Sequence, residues 1–143
     1  EAIDNHPEYG LLRRNCISYD SFYNENDYIG MLQQLYLSNK SNRLGFEYLL
    51  AACLLNKDLD MFVNVLGTND VIAYDDMPTY FQQAFALWWS INKSKSGQNP
   101  PGVSPDITIG LKNFVKDAQK HQNNREWMRN HYGTTYWYYY LTN

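Results

Sequence analysis

The sequence is short of charge, of cysteine and of long apolar runs, and each shortage removes a class of function. Charged residues make up 19% of the chain and the formal net charge is -3, so there is no basic field to attract nucleic acid or an anionic lipid surface. The two cysteines, Cys16 and Cys53, are too few for the disulfide framework that small secreted scaffolds rely on. Cys53 falls inside the apolar run Tyr48–Leu55, where a thiol behaves as a small buried hydrophobe. Two free thiols are therefore expected rather than one bridge. No apolar run approaches the ~20 residues that a membrane-spanning helix needs.

Motifs that carry chemistry are also missing. There is no Gly-rich phosphate loop, no G-x-S-x-G elbow and no Cys/His nucleophile pattern. His6, His121 and His131 match no metal-ligand spacing, so they read as surface histidines and no metal or other cofactor is expected. Asp75 and Asp76 are adjacent carboxylates before a helix start, where acids cap and face the helix dipole. Lys112, Lys116 and Lys120 form an i, i+4, i+8 row that reads as a solvated helix face, as do the pairs Arg13/Arg14 and Arg125/Arg129. The expectation is a protein that is not an enzyme.

What is present is helical periodicity. Tyr28, Met31, Leu32, Leu35 and Tyr36 recur at i, i+3, i+4, i+7 and i+8 behind a candidate cap at Asn24. From about Asn42 to Leu55 the helix is apolar nearly all round, which predicts a central element packed between neighbours. A turn at Asn56-Lys57 and a cap at Asp58 lead into Leu59, Phe62, Val63 and Leu66, with Gly67 as the stop. Residues 42–66 thus read as a helical hairpin. Pro78 is placed at the first position of a further helix, with Phe81, Ala84, Phe85 and Trp88 on one face and Tyr80, Leu87 and Ile91 beside it.

Lys93 to Val103 is a Gly/Pro-rich surface loop, too close to the end of the chain to be a domain boundary. Ser104-Pro105-Asp106 signals a helix start, with Ile107, Leu111, Phe114, Val115 and Ala118 as its buried stripe. A short helix from about Asn124 to Tyr132 follows, closed by Gly133. The tail Thr134–Leu141 suits strand or helix by propensity, and a packed helical turn is expected because no other strand exists to pair with it. In the first 23 residues only Pro7 to Arg14 suggests a short helix. Together these elements predict an all-α fold of stacked antiparallel helical hairpins, one helical-repeat-like domain over 1–143.

Aromatic content is high, with 13 Tyr and 4 Trp, and it supplies the candidate binding residues Trp89, Tyr136, Trp137, Tyr138 and Tyr140. Trp88 and Trp89 point about 100° apart, so Trp88 is assigned to the core stripe and Trp89 to a neighbouring helix or the surface. Two uses are open to Tyr136–Tyr140. The tail can close the end of the core, which is the commoner role, or its rings can anchor a partner.

The segment from Asn42 to Leu66 resembles a tetratricopeptide-type hairpin through Phe46, Leu49, Leu54, Asp58, Leu59, Val63 and Leu66. Leu50 and Phe62 stand where that motif has small residues. More broadly, His6-Pro7-Glu8-Tyr9-Gly10-Leu11-Leu12-Arg13-Arg14, Asn42–Phe62, Tyr80–Trp89 and Gly133-Thr134-Thr135-Tyr136-Trp137-Tyr138-Tyr139-Tyr140-Leu141 resemble the C-terminal part of an uncharacterised family of gut-bacterial membrane proteins. The resemblance implies a C-terminal fragment of a longer chain, the soluble and extracytoplasmic (periplasmic) part of an inner-membrane protein. It supplies no reaction and no functional residues.

Three functions are expected in descending weight. The first is a non-catalytic interaction module that docks a protein partner on a helical surface. The second is glycan recognition through Tyr, Trp and Asn. The third is an accessory domain of a membrane enzyme whose active site lies upstream.

Overall fold

The computed structural model describes residues 27–68, 74, 76–92, 99–122 and 124–142. These fall into two compact units, Glu1–Ala73 and Tyr74–Asn143, each with its own packing. All the regular structure described is helical, so the expected all-α class holds. The expectations for Asn24, Cys16, His6, Asp75, Lys93, Arg13/Arg14 and the Pro7–Arg14 helix lie outside the described residues.

In the first unit, α1 spans Tyr28–Ser38, α2 spans Arg43–Leu55 and α3 spans Leu59–Thr68. Asp27 begins α1, its side chain accepting from the Gly30 N–H at 2.9 Å. Asn42 caps α2 in the same way by accepting from Gly45 N–H. α2 packs against both α1 and α3, the central position that its composition predicts. Phe46, Leu49, Leu50 and Cys53 are fully buried along it, opposite Tyr36 and Phe62. Leu50 and Phe62 are both at 0% exposure. α2 is nevertheless not covered all round, because Leu44, Tyr48 and Leu55 are each more than half exposed.

The turn between α2 and α3 is short because two motifs share it. Lys57 N–H donates to Leu54 O and Asp58 N–H to Cys53 O, the paired bonds of a Schellman motif, with Lys57 in the left-handed region at φ 59°. Asp58 then caps α3 by accepting from Met61 N–H at 2.9 Å. Asn56 Nδ2 donates to the Tyr28 hydroxyl, tying this turn to the start of α1. Gly67 does not stop α3, which continues to Thr68.

In the second unit, α4 spans Thr79–Asn92, α5 spans Pro105–Lys120, α6 spans Arg125–Tyr132 and α7 spans Tyr136–Thr142. Pro78 lies just before α4, its carbonyl accepting from the Phe81 and Gln82 N–H groups, so it precedes the first helical position. Ser104 and Pro105 open α5 as the sequence predicts, although the Ser104 side chain makes no capping bond. The contacts run α4 to α5, α5 to α6, α6 to α7 and α7 back to α4, so the four helices close a ring around one core. Ala86, Leu111, Phe114, Met128 and Trp137 form that core. Val115, expected within the stripe, is exposed.

The inner face of α4 differs from the face its aromatics predict. Its buried residues are Gln82, Gln83, Ala84 and Ala86, whereas Phe81, Phe85, Trp88 and Trp89 are half-buried and Tyr80 and Ile91 exposed. Both glutamines are spent on tying loops and helix ends to α4. Gln82 Nε2 donates to Met77 O at 2.7 Å, and Gln82 Oε1 accepts from Ser104 N–H at 2.8 Å. Gln83 Oε1 accepts from Tyr136 N–H at 2.7 Å, and the Gln83 backbone carbonyl accepts from Trp137 Nε1 at 2.9 Å. Burying two neutral amides is tolerable because both side-chain oxygens and Gln82 Nε2 find partners.

Candidate functional site

The aromatic tail forms a helix, α7, and splits into two classes by position. Tyr136 and Trp137 are buried, at 6% and 3% exposure, and close the core of the second unit. Tyr138, Tyr139 and Tyr140 are half-buried. Thr135 accepts from Tyr138 N–H, which starts the helix, and donates to Tyr132 O, which ties it to α6. Of the five candidate binding residues, Tyr136 and Trp137 are therefore core. Tyr138, Tyr140 and Trp89 retain exposed surface.

Trp89 lies apart from the tail in a cluster on α4. Phe85 stacks on Trp88 with ring centroids 6.2 Å apart and meets Trp89 edge-on at 5.9 Å. Neither Trp88 nor Trp89 belongs to the buried core, contrary to the assignment of Trp88 to the core stripe. The reason is the helix phase: with Gln82, Gln83 and Ala86 turned inward, residues 85 and 88 fall on the other side and 89 on the flank of the inner face.

Tyr138 instead lines a groove bounded by α5, α6 and α7. A narrower part of about 200 Å³ is floored by Phe114, Met128 and Leu141. A wider, more open part of about 550 Å³ is bordered by Arg125, Glu126 and Arg129. Arg125, Tyr138 and Thr142 line both parts, so the two form one continuous groove. Arg125 and Arg129 sit one turn apart on α6, and the spacing i, i+4 puts both guanidinium groups on one face. Among the described residues neither guanidinium has an ion-pair partner; the ion pair found there, Arg43 with Glu47 at 2.8 Å, is in the first unit.

A second feature borders the groove. Trp127 is sandwiched between His121 and His131, with both imidazoles 3.9 Å from it and within 17° of parallel. The His131 ring is oriented by a 2.8 Å contact from Nδ1 to Trp127 O. His121, which lines the groove, is thus held in place rather than being a free surface side chain. Trp127 and His131 are an i, i+4 pair visible in the sequence; His121 joins them only through the turn that precedes α6.

Two groups have shifted acidity, and neither makes the groove reactive. Burial, reinforced by the charge of Asp58, pushes the Cys53 thiol up to about 11. The thiol is free and fully buried, so the expectation of an unbridged Cys53 holds. Burial also raises Tyr132 to about 12, helped by its 2.7 Å hydrogen bond to Asp117 and the charge of that carboxylate. Both groups keep their protons at neutral pH. Among the described residues no group of three or more His, Cys, Asp or Glu side chains could hold a metal ion, and no helix is long and apolar enough to cross a membrane.

No curated protein and no solved structure matches the chain. The family model of a family of unknown function, DUF6057, matches residues 1–143, and the chain belongs to that family.

Proposed function

We propose that the chain is a non-catalytic helical interaction module that docks a protein partner, and that the groove bounded by α5, α6 and α7 is where it does so. The observation that supports this is the lining: two guanidinium groups and a tyrosine around an apolar floor. Arg and Tyr are enriched at the centres of protein interfaces because each offers a large contact area together with directional hydrogen bonds. The tetratricopeptide-like hairpin and the placement of the parent as an extracytoplasmic part of a membrane protein belong to the same proposal.

A sugar-binding reading fits the same region less well. Carbohydrate stacking needs an open aromatic face, and both faces of Trp127 beside the groove are covered by imidazoles.

Removing the tail would strip Tyr136 and Trp137 from the core, so the test uses single sites on an intact fold. A photo-reactive amino acid placed at Arg129 in the full-length parent, in its native membranes, should cross-link to a protein that mass spectrometry identifies. The same group at Lys116, exposed on α5, should not. Equal labelling at the two sites, or no protein adduct at Arg129, would remove the groove as the docking surface.

A further inference from the structure

We infer that the groove selects a peptide segment of its partner in which an aspartate or glutamate lies next to a bulky apolar side chain; this rests on the docking reading above. The two parts of the groove call for different chemistry. The narrower part holds the volume of about seven waters, at ~30 Å³ each, above Phe114, Met128 and Leu141. A guest that fills it with apolar atoms gains the burial energy that water there forgoes.

The wider part supplies charge. Arg125 and Arg129 border it with no carboxylate partner among the described residues, and a guanidinium offers a planar fork of donors that matches a carboxylate. Glu126 shares this wall and reduces its formal charge to +1. That balance suits a singly charged carboxylate better than a doubly charged phosphate. The N-terminal end of α6 adds positive potential and the C-terminal end of α7 subtracts it, which leaves the guanidiniums to decide the sign. Because the chain is acidic overall, this groove is a local exception to its net charge of -3.

The test is selection of a phage-displayed library of random 12-residue peptides on the full chain, compared with Arg125→Gln/Arg129→Gln. Both arginines are exposed, so the double variant should keep its fold, which circular dichroism checks. The expected outcome is enrichment of Asp or Glu beside Leu, Ile, Phe or Met, and loss of that enrichment on the variant. A peptide recovered this way should bind the double variant at least tenfold more weakly. It should bind Glu126→Gln more tightly than wild type, because a repelling carboxylate has been removed. Peptides enriched in Lys or Arg, or acidic peptides bound equally by the double variant, would overturn the inference. If these peptides fail while the cross-link from Arg129 persists, docking stands and the acidic chemistry falls. If both fail, the docking reading falls with it.

Discussion

Gln83 is an uncommon residue to find at 7% exposure, and what it holds explains why it is there. Its side-chain oxygen accepts from the first N–H of α7, one of the donors that a helix start leaves without an intrahelical partner. Replacing it with leucine, similar in size but without an acceptor, strands that N–H in the core. Gln83→Leu should therefore cost about 1–3 kcal/mol, read as a lower urea midpoint at unchanged slope. Unchanged stability would mean that water reaches the start of α7. On the same scale, Leu50 is fully buried at the centre of the first unit. Leu50→Asp buries an unpaired carboxylate at a cost of several kcal/mol, comparable to about half the stability of a typical domain. A near-native thermal melt of that variant would contradict the position of α2 in the core.

Among the elements, the contact of the Trp137 indole on α7 with α5 depends on one small residue. Gly110 lies in the interior of α5, where glycine costs about 1 kcal/mol relative to alanine. A Cβ there would meet the Trp137 ring at 3.0 Å, and the ring cannot drift easily because its Nε1–H is held by Gln83 O. Gly110→Val should displace the indole, destabilise the second unit by about 1–3 kcal/mol and shift Trp emission to the red. Wild-type stability and emission would show that the indole has room to move. This contact marks the limit of what the sequence makes legible. Helix existence follows from periodicity and caps, which act over three or four residues: Asn42, Asp58, Asn124 and the Ser104-Pro105 start are all where local chemistry puts them. Facing is set by partners distant in sequence. Nothing local to Phe81, Phe85 and Trp88 reveals that α4 turns its glutamines inward, because those amides are satisfied by residues 22 and 53 positions away. The groove was hidden for the same reason. Arg125 and Arg129 read as a solvated pair until α5 and α7 supply an apolar floor beside them, and Tyr138 differs from Tyr136 only in the side of α7 it occupies.

At the scale of the molecule, the groups whose pKa burial shifts fix how stability responds to pH. Among the described residues the two clearly shifted pKa values, those of Cys53 and Tyr132, are both raised, so both groups respond to base. A group whose folded pKa exceeds its unfolded value contributes stability that is complete below the unfolded value and lost as pH rises through the folded one. For Cys53 that window runs from the ordinary thiol value of 9.0 to about 11, and for Tyr132 from 10.0 to about 12. Across these windows the unfolded chain has released a proton that the folded chain still holds, so unfolding is favoured as pH increases. Urea midpoints should accordingly fall between pH 9 and 12. Tyr132→Phe also loses the hydrogen bond to Asp117, so it should start about 0.5–1.5 kcal/mol less stable at pH 8. Having no phenol to titrate, it should then lose less between pH 10 and 12 than the wild type does. The two curves should converge with rising pH. Parallel curves over that range would show that Tyr132 ionises as easily in the folded protein as in the unfolded chain, and that its burial against Asp117 is not maintained in solution.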